Sequence, residues 1–309
     1  MKVFVTGVAG QLGHDVMNEL HRRGLEGIGS DIAPAYSGAA DSSPVTAMPY
    51  VPLDITDEAA VADTIARVRP DAVIHCAAWT AVDAAEEPEN IAKVEAINAR
   101  GTRYIAAACR AAGCKLLYIS TDYVFNGQGE TPWQPDCTDY APLNVYGRTK
   151  LDGELAVRAL VDKFFIVRIA WVFGVNGKNF IKTMLRLGET HDTLRVVDDQ
   201  IGTPTYTLDL ARLLVDMILS EQYGCYHATN EGGYISWAQF AAEIFRQAGM
   251  DGVQVIPVTT AEYGLSKAAR PFNSRLDKHK LVEKGFTPLP GWQDALARYL
   301  QELRAAEKH

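Results

Sequence analysis

The sequence predicts an α/β fold: a Rossmann-type, doubly wound parallel sheet with a smaller, interleaved C-terminal substrate lobe. Three observations support this fold class. Short β-type runs alternate with helical stretches through the first half, a glycine-rich turn follows the first of these strands, and the alternation loosens beyond Arg168. Strands that alternate with helices form parallel sheets covered on both faces. We therefore expect a dinucleotide-binding domain over residues 1–170 and a substrate lobe over 171–309, with some later segments returning to the main sheet.

The predicted elements of the first half alternate regularly. The expected strands are KVFVT, EGIGSD, a short strand ending at Asp54, DAVIHC, KLLYIS and FFIVR. The expected helices cover residues 11–23, a stretch ending at Val68, 91–112 and 144–161, and a Gly-, Ser- and Pro-rich segment covers 33–49. Later helices are expected near 180–187, 208–219 and 237–247, separated by loops.

Composition excludes several classes of function. The 309 residues are 48% hydrophobic and carry a net charge of −8 that is spread along the chain, which disfavours nucleic acid and anionic membranes as partners. No apolar run approaches the roughly 18 to 20 residues of a membrane span, and no signal-peptide layout is visible, so we expect a cytoplasmic protein. The five cysteines lack paired metal or redox spacings and are expected to be reduced thiols.

A glycine-rich turn follows the first predicted strand. The segment TGVAGQLG places Gly7, Gly10 and Gly13 between that strand and the first helix. A backbone that turns tightly and approaches a diphosphate requires small residues, and free amides at a helix N-terminus stabilise the phosphate charge. An isolated match would equally fit a turn without ligand, but its position after the first strand favours a dinucleotide site.

Two aspartates mark the expected adenosine end of that site. Asp31 ends the second strand, 18 residues after Gly13, where a carboxylate can accept hydrogen bonds from a ribose. A turn-forming role before Ile32 is the alternative. For Asp54 there are likewise two interpretations: its side chain faces the adenine, or it caps the following helix. A carboxylate at Asp31 repels a 2′-phosphate, which weakly favours NADH over NADPH.

A YxxxK pair supplies the candidate chemistry. Tyr146 and Lys150 lie four residues apart in NVYGRTK, so a helix places both on one face. A carbonyl that receives hydride needs a proton donor, and tyrosine, with a pKa near 10, is too weak an acid unless its phenolate is stabilised. A lysine ammonium at roughly 4 to 5 Å would attract the phenolate by about 3 to 4 kcal/mol and lower the pKa by roughly two units. Lys150 is also placed to hold the nicotinamide ribose. An exposed helical pair is the alternative.

Thr121 adds weight to this pair. It ends the fifth predicted strand, 25 residues before Tyr146, where its hydroxyl can donate to a substrate oxygen. Threonine also occurs at strand ends as a cap, but three elements in this order favour catalysis by Thr121, Tyr146 and Lys150.

These residues and their neighbours resemble the extended short-chain dehydrogenase/reductase family over nearly the full chain. The segments that carry the resemblance are TGVAGQLG, AAWTAVDAAEEPE, INARGT, STDYVFNG, PLNVYGRTK, RIAWVFG, NFIKTMLRL, DDQIGTPT and RPFNSRLD. The resemblance is strongest to members that reduce the 4-keto group of a dTDP-activated deoxysugar to give dTDP-L-rhamnose. It implies an enzyme that uses NADH or NADPH, takes a dTDP-sugar as its small-molecule partner, holds no metal at the chemistry and acts as a monomer or homodimer.

The resemblance also implies roles for single residues. Implied cofactor contacts are Gly10, Gln11 and Leu12 at the diphosphate, Asp31, Asp54 and Ile55 around the adenosine half, and Ala78, Trp79 and Thr80 along its path. Implied substrate contacts are Thr121, Asp122, Trp171, Arg270, Asn273 and Arg275. An ordinary core tryptophan and a solvated arginine loop are the alternatives for the last four. Trp79 departs from the family, where histidine or tyrosine is frequent, and residues 33–50 are longer than usual.

Two other functions remain open. A sugar-nucleotide epimerase or 4,6-dehydratase shares the glycine turn and the YxxxK pair, but a dehydratase resembling its family carries Asp-Glu after the threonine, whereas this chain has Asp122 and Tyr123. The other alternative is a non-catalytic NAD(P)-binding subunit that resembles the regulatory subunit of methionine adenosyltransferase. The complete set Thr121, Tyr146 and Lys150 favours chemistry over this binding role, whereas an epimerase would be recognised by NAD that stays tightly bound in the purified protein.

Overall fold

A computed structural model of the chain describes residues 1–264 and 266–306. Its strands are β1 Lys2–Thr6, β2 Glu26–Asp31, β3 Tyr50–Pro52, β4 Ala72–His75, β5 Lys115–Thr121, β6 Phe164–Ile169, β7 Val172–Phe173, β8 Thr193–Val197, β9 Ile201–Gly202, β10 Thr205–Tyr206, β11 Gly224–His227, β12 Ile235–Ser236 and β13 Gln254–Val258. Its helices are α1 Gln11–Arg22, α2 Glu58–Val68, α3 Val82–Ala85, α4 Pro88–Glu95, α5 Thr102–Ala112, α6 Val145–Leu160, α7 Phe180–Gly188, α8 Thr207–Leu219, α9 Trp237–Ala248, α10 Thr260–Tyr263, α11 His279–Glu283 and α12 Trp292–Ala306.

The central sheet has seven strands in the order β3-β2-β1-β4-β5-β6-β11, and every neighbouring pair is parallel. The strand order reverses between β1 and β4, and in doubly wound sheets ligands bind at this point, outside the carboxyl ends of the strands. The predicted fold class is confirmed. β11 comes from the second half of the chain and joins β6, while the division near residue 170 stays a prediction.

Both faces of the sheet are covered. On one face, Val16 and Met17 of α1 pack with Leu210 and Leu214 of α8 against the strands. On the other face, α2, α5 and α6 cover the sheet with a second buried apolar cluster. Each fully buried aliphatic side chain contributes roughly 1.5 to 3 kcal/mol, so the sheet forms a rigid base for residues at its carboxyl edge.

A third buried cluster belongs to the second lobe. It is built from α7, α9 and α12 around Phe173, Tyr206 and Tyr299. The ring centroids of Phe173 and Tyr206 are 5.1 Å apart in a stacked pair. It shares no buried residue with the two clusters that cover the main sheet.

The structure corrects two predicted boundaries. β3 ends at Pro52 instead of Asp54, because the Asp54 carboxylate accepts hydrogen bonds from the amide and hydroxyl of Thr56 and forms a turn. The single helix expected over 91–112 is divided into α4 and α5 by a π-helical turn over Ala96–Gly101. Within this turn the Asn98 side chain bonds to the backbone of Trp79, on the loop after β4. Helix α12 and the short strands β7 to β13 were not predicted from the sequence.

Candidate active site

A cavity of about 690 Å³ opens at the carboxyl edge of the sheet. Its wall runs from the glycine turn after β1, past the ends of β2 and β4, to the end of β5 and the start of α6. The cavity brings together most residues that the sequence predicted, and its volume lies within the usual range for small-molecule and cofactor sites.

The glycine turn has no space for a side chain at Gly7 or at Gly13. Gly7 has a φ of +74°, and a Cβ at this position would lie 2.6 Å from the Ala77 amide nitrogen. A Cβ at Gly13 would lie 2.2 Å from the Gly7 carbonyl oxygen. Gly10 precedes α1 without a side-chain cap, so the first amides of that helix are available to an anion at the cavity. This arrangement fits a dinucleotide diphosphate.

The predicted adenosine end is in place. Asp31, Asp54 and Ile55 line the cavity together. The Asp31 carboxylate accepts hydrogen bonds from the amides of Ala9, at 3.0 Å, and Ile32, at 2.8 Å, which fix its orientation. A carboxylate held in this way retains lone pairs for a ribose hydroxyl.

The catalytic end is assembled by β5 and α6. Asn144 caps α6 by accepting a hydrogen bond from the Gly147 amide at 2.7 Å, and the helix then presents Tyr146 and Lys150 on one face. Thr121, at the end of β5, lies close enough to Tyr146 for its hydroxyl to act on the pKa of the phenol. All three side chains line the cavity.

The Lys150 side chain is buried, and its ammonium contacts a backbone carbonyl and an aromatic ring. Its Nζ donates a hydrogen bond to the Ile119 carbonyl at 2.7 Å and lies 4.1 Å from the centroid of the Tyr118 ring. Burial lowers the pKa of Lys150 to about 7, against the opposing field of Glu154. Lys150 therefore gives up its proton far more readily than an exposed lysine does.

The expected lowering of the Tyr146 pKa is wrong for this structure. Burial raises the pKa of Tyr146, and the Thr121 hydroxyl opposes that rise without reversing it. The physical reason is that the Lys150 ammonium is directed at the Ile119 carbonyl and the Tyr118 ring, so desolvation dominates at the phenol.

Asp122 is an acidic group within this end of the cavity. Its Oδ1 accepts a hydrogen bond from Thr121 Oγ1 at 3.0 Å, while Oδ2 is buried and has no hydrogen-bond partner among the described residues. Burial raises the pKa of Asp122 to about 6, and the nearby hydroxyl groups of Ser274 and Thr121 oppose the rise. A protonated carboxyl here could donate a hydrogen bond to a polar substrate.

The other predicted cofactor residues divide into two groups. Gly10, Gln11, Leu12, Ala78 and Thr80 line the cavity. Trp79 is not on its wall, because its indole NH donates to the Ala81 carbonyl at 3.0 Å and its ring lies beneath the Lys93 ammonium.

The predicted substrate residues divide in the same way. Trp171 lines the cavity and stacks on Trp237, with centroids 3.7 Å apart. Arg270, Asn273 and Arg275 are not on the cavity wall. Asn273 is buried and holds the carbonyls of Gln128 and Thr131, and its own side-chain oxygen accepts from Arg275. Substrate binding by these three stays a prediction.

Arg270 is connected to the catalytic end by a contact with Tyr123, which in turn packs against Tyr146. Its guanidinium donates to the Tyr123 hydroxyl at 3.2 Å and to Asp83 at 2.5 Å, and the Tyr123 ring packs edge-on against Tyr146 with centroids 5.5 Å apart. Tyr123 lines the cavity and was missed as a site residue.

Sequence reasoning also missed Lys93 and Lys178, which lie on the cavity wall. Neither belongs to a spacing motif. The only available signal was that Lys178 stands beside NFIKTMLRL, a segment already recognised through the resemblance.

The described part of the chain contains no cluster of three or more potential metal ligands and no helix long and apolar enough to cross a membrane. The five cysteines are free, and Cys76 lies on the cavity wall.

Comparison with known proteins identifies similar chains. The sequence model of the family described as RmlD substrate binding domain matches residues 1–305. The dTDP-4-dehydrorhamnose reductase of Streptomyces griseus is 43% identical over 97% of this chain and 93% of its own length.

Solved structures show the same likeness. A dTDP-4-dehydrorhamnose reductase from Clostridium acetobutylicum has a TM-score of 0.88 and 40% identity, covering 98% of this chain and 100% of its own. The Bacillus anthracis dTDP-4-dehydrorhamnose reductase, solved in complex with NADP, has a TM-score of 0.85 and 39% identity over 98% of this chain and 100% of its own.

Proposed function

The chain belongs to the family of the RmlD substrate binding domain, and from that membership we propose that it uses NADH or NADPH to reduce the 4-keto group of a dTDP-activated deoxysugar. The sugar is dTDP-4-dehydrorhamnose and the product is dTDP-L-rhamnose. The observation that carries this proposal is the convergence of the glycine turn, Thr121, Tyr146 and Lys150 on one cavity.

The cofactor site fits a dinucleotide along the carboxyl edge of the sheet. The glycine turn leaves backbone amides available at the start of α1, and Asp31 is held by two amides at the adenosine end. When bound, the reduced nicotinamide supplies the hydride. The same wall residues can accommodate NADH and NADPH, and Asp31 favours NADH through charge repulsion with a 2′-phosphate.

In this mechanism Tyr146 donates the proton to the oxygen on carbon 4 of the sugar. Thr121 and Asp122 orient the carbonyl, and the Lys150 ammonium offsets only part of the cost of the phenolate that remains, because it is directed at the Ile119 carbonyl. Because burial raises the pKa of Tyr146, its proton is held until negative charge develops on the substrate oxygen. Trp171 packs against the sugar from the side of the second lobe.

The alternatives fit the site less well. A dehydratase would need a second acid beside Asp122, and that position is occupied by Tyr123, whose hydroxyl accepts from Arg270. A purely regulatory subunit would not require the ordered set Thr121, Tyr146 and Lys150. A monomer or homodimer and a cytoplasmic location stay predictions.

The test is Tyr146→Phe assayed with NADH and NADPH and enzymatically generated dTDP-4-dehydrorhamnose. We expect the turnover number to fall roughly 100- to 10,000-fold, because a general acid is lost, while cofactor affinity stays within a few-fold. Cofactor oxidation in the presence of the sugar measures turnover, and quenching of protein fluorescence measures binding.

Full activity of Tyr146→Phe would contradict the assignment of the acid. A wild-type chain that binds the cofactor but turns over no sugar nucleotide would instead favour the regulatory-subunit alternative.

A further inference from the structure

A loop from the second half of the chain lies against the glycine turn. We call residues 174–179, which follow β7, the clamp loop. Its Gly174 amide donates to Gln11 Oε1 at 2.9 Å, and Asn179 Nδ2 donates to the same oxygen at 3.0 Å. Asn176 Nδ2 donates to the Ala9 carbonyl at 2.7 Å. Together with a longer one from Asn176 Nδ2 to the Gly10 carbonyl at 3.4 Å, four hydrogen bonds join the clamp loop to the turn expected to hold the diphosphate.

The clamp loop is also fixed from its other side. Asn179 caps α7 and donates to the Tyr299 hydroxyl at 2.9 Å, which connects the loop to the core of the second lobe. Lys182 Nζ donates to the carbonyls of Val175 and Gly177, and Gly177 has a φ of +77°. The backbone on both sides of Lys178 is therefore held in place.

Lys178 is exposed and lies on the cavity wall together with the glycine turn. Among the described residues the lysines on this wall are Lys93, Lys150 and Lys178. Lys93 lies over the Trp79 ring at 5.6 Å, and Lys150 is committed to the catalytic end. Lys178 is the remaining cation.

Its ammonium is available to a ligand. Within residues 1–264 and 266–306, the lysines that form ion pairs are Lys2, Lys267, Lys278 and Lys280. Lys178 forms no ion pair with any residue in these two ranges. In a chain with a net charge of −8 and with Asp31 and Asp54 in the same cavity, a local cation would stabilise a bound diphosphate in addition to the backbone amides of the glycine turn.

We propose that Lys178 pairs with the diphosphate of the dinucleotide cofactor, so that the clamp loop of the second lobe completes the cofactor site beside the glycine turn. This inference rests on the proposed function, because it takes the dinucleotide as the ligand of the cavity. It assigns Lys178 to affinity for the cofactor, separate from the chemistry of Tyr146.

The experiment compares Lys178→Ala with wild type by titrating NADH and NADPH in the absence of sugar. We expect the dissociation constants of both cofactors to rise by roughly 5- to 20-fold, because one charge-assisted hydrogen bond is lost. Lys178→Arg should restore most of the affinity. Added salt should weaken binding to the wild type more than to Lys178→Ala. The turnover number at saturating cofactor should change less than the dissociation constants, because the proposal assigns Lys178 to cofactor affinity.

Lys163→Ala is the matched control, because Lys163 is exposed and precedes β6 at the opposite edge of the sheet. A loss confined to NADPH would mean that Lys178 contacts the 2′-phosphate and would overturn the proposal. No change relative to the control would overturn it too, as would a reduced turnover number with unchanged affinity. The proposed function fails separately, through absent wild-type turnover of the sugar nucleotide.

Discussion

The two ends of the cavity offer different means of binding. At the glycine turn, the features directed at a ligand are backbone groups and tight steric contacts, such as the position of Gly13 against the Gly7 carbonyl. At the catalytic end they are buried titratable side chains, and burial displaces the pKa of Tyr146, Lys150 and Asp122. The first end depends on shape, whereas the second depends on the cost of placing ionisable groups away from water.

This difference predicts different responses to mutation. Substitutions at the glycine turn should weaken cofactor binding, and the loss of affinity should be nearly the same at every pH. Changes at the catalytic end should alter activity and stability together, with a pH dependence, because buried charges used in catalysis lower the stability of the fold.

The largest effect should come from Gly13→Ala. The added Cβ would meet the Gly7 oxygen at 2.2 Å and the Gly7 carbonyl carbon at 2.7 Å, both backbone atoms that cannot move aside without opening the turn. We expect the dissociation constant of NADPH to rise at least ~100-fold at every pH, as measured by fluorescence titration, with circular dichroism to confirm folding. Gly252→Ala is the control, since a methyl group added there would meet no described atom within 4 Å. Wild-type affinity in Gly13→Ala would show that the turn is not rigid.

A smaller effect on activity should accompany Lys150→Met. We expect the turnover number to fall roughly 30- to 100-fold and the free energy of unfolding at pH 7 to rise by about 2 kcal/mol, because a buried ammonium is removed. The pKa of Lys150 is about 7 in the fold against an ordinary 10.5, so between these values the unfolded chain holds a proton that the folded chain has released. The wild type therefore gains stability as pH rises through this window, and the advantage of the variant shrinks.

Urea unfolding of both proteins at about pH 6.5 and about pH 9 measures this difference, with Lys163→Met as a surface control. If Lys150→Met were the less stable protein at both values, the hydrogen bond to Ile119 would outweigh the burial cost of the ammonium.

The smallest effect on stability should come from Asp122→Asn. The pKa of Asp122 is about 6 in the fold against an ordinary 3.8, so the folded chain holds a proton that the unfolded chain releases between about pH 4 and pH 6. The wild type should lose about 1 to 2 kcal/mol relative to the variant as pH rises across this window, and the difference should then stay constant. Denaturant unfolding at several pH values tests this, and a difference independent of pH would contradict it.

The glycine-turn end of the cavity could be predicted from the sequence more completely than the catalytic end. Gly7, Gly10, Gly13 and Asp31 follow from local steric rules at one strand-to-helix turn, so their spacing alone predicts their place on the cavity. The fold class followed for the same reason, because alternation of strands and helices is a local pattern.

At the catalytic end the spacing placed Tyr146 and Lys150 on one face but not the direction of the ammonium. That direction depends on the Ile119 carbonyl and the Tyr118 ring, which belong to a strand about 30 residues upstream. The arginine-rich segment after residue 269 likewise has charges that suit a diphosphate, yet Asn273 and Arg275 bond to each other and to a neighbouring loop. Charge is visible in a sequence, whereas the partner that neutralises it is set by tertiary packing.

Trp171 provides one further consequence. It has a φ of +51°, a conformation that costs a tryptophan of order 1 to 3 kcal/mol, and its ring stacks on Trp237 at an interplanar angle of 16°. Trp171 follows β6 of the main sheet and Trp237 begins α9 of the second lobe. Two near-parallel indoles at this separation couple their electronic transitions. The ultraviolet spectrum of the chain therefore depends on how the rings of Trp171 and Trp237 lie relative to each other. A movement of one ring against the other on ligand binding would change their separation and angle, and with them the near-ultraviolet absorption of the chain.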